Sequence, residues 1–569
     1  MPSINENETG LLDVARAFKA EYDGLRNSRA IALYLKARNC FSKKPYTPLE
    51  LAAEWPQEKT WMRLKSKENA GNWFFYDHRQ EFIDLLPESN GCAYYTSARR
   101  PRVGIITDEF MFDYYDGPLD LTYLYPDSYQ ETIDDGNLDF VLYVTCWHGR
   151  HDQVDTYYSN NPEGHERISA VFAAARQAGL PIVFQSIEDP PSYELYLDLA
   201  RQADYVFTSC EEKIPDYLRD LGHDRVFSCK FGVNPLLNNP VGIGIRSHLK
   251  NEHLRNSVLF AGSWYNEYPE RCADTELIFD TLLSLGRNLM VFDRRWPVDL
   301  AIGGMFPEKY WYYVLPGLNH KELQAVTKLF DFAVSLNSVK DSRTMCAMRT
   351  YELQAAGVIG IANDALALKA QFPELIRAKT AEDVRTFLSD MDPRTVQHAQ
   401  LEGIRRIMRE HTVYDRLNQM FSQMDMDFTF PTAAVALLAN PNDAPAWKRA
   451  QSLEATLPSA KAVCLDNLAQ AKDCSFAVVL SGASGMDAPA VEDAVNAFKY
   501  VDTDFVRICA LNAPERFSYV QESMADLQEC VYNLRAVSIE DIARTLYARD
   551  EAVDKTLEGF AVPAAGCSA

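Results

Sequence analysis

From Arg102 onward, short apolar runs alternate with helix-patterned stretches, and this alternation restricts the fold more than any other feature of the chain. Residues 103–107, 140–145, 181–185 and 205–209 read as strands, with helical patterns at 167–178 and 193–202 between them. Strand–helix alternation implies parallel strands joined by right-handed crossovers, hence a doubly wound sheet. Residues 226–230 close this unit, and Asn234-Pro235 through Pro240-Val241-Gly242 read as a linker.

A second alternating unit begins at 257–262. It runs through a helix at 273–285 and strands at 289–292, 332–336 and 358–362, and ends in a long helical stretch at 394–423. The expectation is an α/β chain with two Rossmann-like domains, at 101–242 and 243–427. Ligands would bind at the carboxyl ends of the strands, in the cleft between lobes.

The flanks say less. Leu11, Leu12, Ala15, Phe18, Tyr22 and Leu25 recur at steps of three and four, so residues 1–100 read as helical. Thr47-Pro48-Leu49-Glu50 reads as a capped helix start. The aromatic-rich stretch 59–86 reads as a packing or oligomerisation appendage. After Phe430-Pro431 the composition shifts toward Ala, Asn, Asp and Ser, and 428–569 reads as a separate small α/β domain with strands at 477–480 and 505–508.

Charge and cysteine usage exclude some classes. A net charge of −23 over 569 residues argues against nucleic acid as the partner. The start, Met-Pro-Ser-Ile-Asn-Glu-Asn-Glu, lacks the pattern of a secretory signal, and no run approaches the ~18–20 apolar residues that span a bilayer. The 12 cysteines include no Cys-x-x-Cys pair, so free thiols in a reducing, cytoplasmic compartment are expected, with the inner face of the membrane left open as the place within it.

The most informative chemistry lies in Asn337-Ser338-Val339-Lys340-Asp341-Ser342-Arg343-Thr344, leading into 345–356 and Gly357. A polar, cap-rich loop after an apolar strand predicts a helix starting near Ser342 or Thr344 and stopping at Gly357. Its positive end would hold a diphosphate, with Lys340, Arg343 and Arg349 adding charge-assisted bonds. Glu352, about two turns in and roughly 12 Å from that cap, would accept the ribose hydroxyls of the same nucleotide. An ordinary Arg349–Glu352 pair on a helix surface is the competing reading. Arg294, in Asp293-Arg294-Arg295, and Gly262-Ser263-Trp264 each follow a strand and could face the same ligand.

In the first unit three strand ends are polar: Asp108-Glu109, Trp147-His148-Gly149 and Glu188-Asp189-Pro190-Pro191. Asp108, His148 and Glu188 are the candidates for a base acting on an acceptor, and turn or cap roles compete with each. There is no nucleophile elbow, no Walker loop, no complete Gly-x-Gly-x-x-Gly and no Asp-x-Asp motif of the metal-dependent transferase type.

These segments together resemble the CgeB-like bacterial glycosyltransferases, a branch of the two-lobed GT-B transferases. Asp108-Glu109-Phe110, Cys146-Trp147-His148-Gly149, Glu188-Asp189-Pro190 and Leu221-Gly222-His223-Asp224-Arg225-Val226 carry the likeness in the first lobe. In the second lobe it rests on Phe260-Ala261-Gly262-Ser263-Trp264-Tyr265 with Arg271, Asp293-Arg294, Leu336 to Ser342, Arg349-Thr350-Tyr351-Glu352-Leu353 and His411 to Arg416. The resemblance covers about residues 100–425. It implies a nucleotide-sugar donor bound mainly by the second lobe, no cofactor and no required metal, with Glu352 on the ribose and Ser342–Thr344 at the diphosphate.

The same likeness implies an acceptor hydroxyl on a surface polysaccharide or glycolipid, with peripheral membrane association and homo-oligomers possible. Many retaining relatives carry a second glutamate eight positions before the ribose-binding one. Thr344 stands there in this chain, which leaves stereochemistry and donor sugar open. The tail is similar, more faintly, to GT-A-like domains. Val478-Val479-Leu480-Ser481-Gly482 stands where their acidic run would be, which implies a catalytically dead domain used for docking. Two alternatives remain open: a nucleotide-sugar epimerase or polyol-phosphate transferase on the same fold, and a non-catalytic scaffold of a polysaccharide-synthesis complex.

Overall fold

The computed structural model describes residues 70–95, 99–125, 128–147, 149–150, 162–249, 251–295, 306–482, 485–524, 530–547 and 555–564. The helix readings at 11–25 and 47–50 lie outside these residues. Three sheets organise the rest.

The first sheet holds β1 (Arg102–Ile106), β2 (Asp120–Tyr123), β3 (Phe140–Val144), β4 (Ile182–Ser186), β5 (Tyr205–Thr208) and β6 (Val226–Ser228). Every pairing is parallel, in the order β2-β1-β3-β4-β5-β6. All five residues of β3 and of β4 are buried, as expected of strands covered by helices on both faces. β3, Phe-Val-Leu-Tyr-Val, is an unbroken apolar run, and β4 has three apolar residues before Gln185 and Ser186, so both are legible in the sequence.

The second sheet repeats the plan with β7 (Ser257–Ala261), β8 (Asn288–Asp293), β9 (Val314–Pro316), β10 (Phe332–Ser335), β11 (Ile359–Asn363) and β12 (Ile376–Ala378). It too is wholly parallel, in the order β12-β11-β10-β7-β8-β9. The direction of winding reverses between β1 and β3 in one sheet and between β7 and β10 in the other. Those two switch points are where open α/β sheets hold ligands.

The stretch 394–423 is two helices rather than one. Pro393–Glu410 ends at His411, and Thr412 caps Val413–Gln423 through a reciprocal bond with Asp415, a sequence signal that outweighs the helical periodicity. The first helix lies against the second sheet's units. Val413, Leu417, Met420 and Phe421 of the second join the core of the first sheet. The chain thus crosses between lobes twice, and the crossings are bonded: Val233 N donates to His411 O at 2.9 Å, and Val413 N to Val233 O at 2.7 Å.

The third sheet is mixed. It contains β13 (Val435–Ala439), β14 (Ala460–Cys464), β15 (Phe476–Val479), β16 (Phe505–Ala510), β17 (Tyr519–Ser523), β18 (Cys530–Asn533) and β19 (Thr556–Ala564), ordered β14-β13-β15-β18-β16-β19-β17. Its core is continuous with that of the second lobe's closing helix: Leu401, Ile404 and Met408 pack with Val491, Phe498 and Val435. Arg405 and Asp493 add a buried two-pronged pair at 2.7 and 2.5 Å. The sheet also grips the interlobe linker. Gly242 N donates to Phe517 O at 2.8 Å, and a β-carbon on Gly244 would run into the Arg516 carbonyl.

Within the stretch 59–86, the helix Ala70–Ile83 packs Trp73 and Phe75 onto Leu259, Met290 and Phe330 of the second lobe. The ten described cysteines are all free of disulfides. Among the described residues no helix is long and apolar enough to cross a membrane.

Candidate functional site

The loops that leave both switch points face each other across one cleft. On the first lobe, β1 runs into Asp108 and β4 into Glu188. On the second, β7 runs into Gly262-Ser263-Trp264, β8 into Arg294, and β10 into the loop 337–347. His148 lies outside the described residues.

Asp108 caps the helix Glu109–Tyr115, accepting from Met111 N at 3.0 Å, so the cap role weighed for it is real. Glu188 accepts from the Trp147 indole at 2.7 and 2.8 Å and from Ser192 Oγ at 3.2 Å. Burial raises the pKa of both, and these neutral donors offset it only in part. The Arg294 charge from the other lobe lowers both, and the Asp108 carboxylate raises the pKa of Glu188. The two acids and Arg294 therefore share one field.

On the second lobe, Ser263 donates to Asp293 at 2.5 Å and Trp264 Nε1 to Asn266 at 2.9 Å, both side chains being buried. These two support the strand end rather than line it. Arg294 projects outward and donates to the Tyr265 hydroxyl at 2.7 Å. At Gly262 a β-carbon would meet the Phe260 ring at 3.1 Å, so the glycine serves internal packing as much as ligand approach.

The expected helix start at Ser342 or Thr344 is corrected: the helix is Met348–Ala355, and no side chain caps its start at Ala347. Two local bonds explain the delay. Ser342 Oγ accepts from Thr344 N and Met345 N at 3.2 and 3.0 Å, closing a turn of its own. Asn337 Oδ1 takes Ala347 N at 2.8 Å, tying the residue before the helix back to the end of the strand. Glu352 consequently sits four residues beyond Met348, about 6 Å along the axis at the usual rise, half the spacing expected. The stop at Gly357, with φ of +61°, is as expected.

The turn at 342–344 reaches the first lobe. Ser342 Oγ and Arg343 N donate to the two oxygens of Glu212, at 2.6 and 2.8 Å. Glu211 N donates to Thr344 Oγ1 at 2.8 Å, and Arg343 Nε stands 3.5 Å from Glu211. A carboxylate of the chain thus fills the anion-accepting turn proposed for a diphosphate. Lys340 is bound within its own lobe, 3.0 Å from Asp274 and 3.6 Å from Glu270.

Glu352 is 2% exposed, which excludes the surface pair weighed against it, although Arg349 is its partner at 3.0 Å. Gln324 Nε2 donates to it at 2.8 Å and His320 stands 3.5 Å away. His320 also lies 3.6 Å from Asp113 and edge-on to the Phe110 ring at 4.8 Å, both on the first lobe. Burial alone would raise the Glu352 pKa, but Arg349 and His320 hold it at about 2. Burial would likewise lower that of His320, and the bonds to Asp113 and Glu352 lift it to about 9. The cluster is an ionised network at the lobe junction.

Sequence reasoning passed over Asp113, Glu212, His320 and Gln324. A signal existed for His320: Asn319 and Glu322 form a capping box, which fixes His320 as the first residue of a helix after the end of β9. The sequence also spells Asp502-Thr503-Asp504. It stands at the amino end of β16, with Asp504 accepting from Glu558 N at 3.0 Å, so it differs from the metal-binding motif in placement rather than spelling. No group of three or more metal-ligating side chains occurs among the described residues.

No protein-family model matches the chain, and no curated protein matches it. Solved structures do. Anabaena HepE in complex with UDP and glucose is 9% identical, covering 56% of this chain and 88% of that one, with a TM-score of 0.38. An α,α-trehalose 6-phosphate synthase from Burkholderia multivorans is 12% identical over 57% and 98%, with a TM-score of 0.37. Sucrose-phosphate synthase from Thermosynechococcus elongatus is 12% identical over 53% and 77%, with a TM-score of 0.35. At such values nothing about this chain's substrate follows from them.

Proposed function

We propose that the chain is a glycosyltransferase that moves a sugar from a nucleoside diphosphate sugar to an acceptor hydroxyl. The observation that carries this is the facing of two sheet switch points across one cleft, with carboxylates of raised pKa on one side and cations plus a fixed carboxylate on the other. Glu352 binds the ribose hydroxyls, exchanging His320 or Gln324 for them. Arg294, Lys340, Arg343 and the Met348 helix end stabilise the departing diphosphate electrostatically, so catalysis is positioning plus charge stabilisation. Asp108 or Glu188 takes the proton of the acceptor hydroxyl. The reaction needs no metal, and the acceptor is a surface polysaccharide or glycolipid. The chain is a CgeB-like GT-B transferase, and its tail is a docking module of GT-A descent.

Calorimetric titration with UDP, GDP, CDP and their sugar conjugates tests the donor site. Saturable binding of one nucleotide, weakened by Glu352→Ala, is expected. A well-folded protein that binds none of them overturns the reading. The Glu212 contact favours a second reading, a closed scaffold whose donor turn is permanently filled. Glu212→Gln separates the two, because a transferase gains nucleotide affinity from it and a scaffold gains none.

A further inference from the structure

A cavity of about 420 Å³ lies at the opposite pole from the cleft, at the amino ends of β7, β8 and β10. Four arginines line it: Arg246, Arg255, Arg287 and Arg516. Arg246 is committed elsewhere. It donates to the carbonyls of Lys328, Gly357 and Ala356 at 2.6, 2.7 and 3.0 Å, and stands 3.6 Å from Asp331. Asp331 in turn takes the Gln400 amide at 2.9 Å.

The other three are differently placed. The Arg516 side chain is buried, and among the described residues its guanidinium makes one hydrogen bond, 3.2 Å to Leu511 O. Arg287 lies over the Phe332 ring at 5.6 Å. Neither it nor Arg255 has a carboxylate within ion-pair distance among the described residues. Glu252 stands on the rim, exposed. Asp331, held by Arg246 and Gln400, lines the same cavity, and its field reaches Arg516 from beyond ion-pair distance. The Arg516 guanidinium, buried with one hydrogen bond, is compensated only in part by Asp331, and desolvation lowers its pKa. Phe332, Met391 and Val396 supply an apolar wall beside the three charges.

We propose that this cavity binds a phosphate monoester with a flat or apolar body, the phosphate between Arg255, Arg287 and Arg516 and the body against Phe332, Met391 and Val396. Arginine forks suit phosphate oxygens in pairs, and the volume fits a small organic phosphate. Arg516 belongs to the third sheet's unit and the other two to the second lobe, so the bound ligand ties those units together. The site is separate from the cleft and independent of what the cleft transfers.

Titration calorimetry of the full chain with phenyl phosphate, and with inorganic phosphate as control, tests this. Saturable binding of phenyl phosphate is expected, about tenfold or more tighter than inorganic phosphate, and weakened about tenfold or more by Arg255→Ala with Arg287→Ala. Both substitutions are at accessible side chains, and Arg516→Gln, checked for folding by circular dichroism, gives the same loss from the other unit. Absence of saturation overturns the proposal, as do binding that survives the double substitution and equal affinity for the two probes.

Discussion

Both lobes present carboxylates at the ends of their sheets and give them opposite characters. Asp108 and Glu188 of the first lobe are held by an amide, an indole and a hydroxyl, and burial raises their pKa values. Glu352 of the second is still more buried, yet Arg349 and His320 hold it at about 2. The same desolvation acts on all three, and the partner decides the sign. A carboxylate held by neutral donors keeps a proton more readily than a free one. One held by cations is a permanent anion, suited to accept hydroxyl hydrogen bonds and nothing else.

The comparison can be broken first on the proton-exchanging side. Glu188→Gln and Asp108→Asn, assayed separately for sugar transfer, are expected to leave nucleotide affinity alone. The one that is the base loses about 10²–10⁴-fold in kcat. Equal, small effects of both would remove the functional contrast between lobes. On the other side, Glu352→Gln takes the shared carboxylate from Arg349 and His320, both half-buried, and a loss of about 2 kcal/mol in stability is expected from chemical denaturation.

The network also fixes a pH window. Glu352 has its folded pKa depressed from 4.5, so its contribution is complete above 4.5 and falls as pH drops toward 2. His320 has its raised from 6.5 to about 9, so its contribution is complete below 6.5 and is lost as pH rises through 9. Thermal unfolding across pH is expected to show a plateau between these limits and a descent above 6.5, which His320→Gln flattens.

Glu212→Gln is a smaller change. It removes one charge from the contact with Ser342 and Arg343, and a gain of up to about tenfold in nucleotide affinity is expected by calorimetry. The smallest effect belongs to Lys340→Met. Its partners Asp274 and Glu270 lie near the surface, where such pairs are worth about 1 kcal/mol or less, so stability by denaturant titration barely moves.

What the sequence revealed follows the same physics. Strands buried on both faces, such as 140–144 and 332–335, carry apolar runs of three residues or more and are readable. β2, with two of its four residues exposed, and the three-residue β9 and β12 carry no such run. The switch-point residues were legible because a polar cluster after an apolar run is local. The Glu352 network was legible only in its Arg349 half, three residues away. His320 and Asp113 reach it through the fold, 32 and 239 residues off in sequence, where no spacing argument extends. The helix start was misplaced because Ser342, a good cap by type, turned instead to a partner on the other lobe.

Gly244 has a consequence for how such a chain can change over generations. Any side chain there meets the Arg516 carbonyl, and Gly242 is bonded to Phe517. The hinge and the tail are therefore inherited as one. A chimaera that keeps these lobes and takes a foreign tail has to bring that tail's own linker with it, and the lobes cannot shed the tail without exposing the strip of backbone it covers.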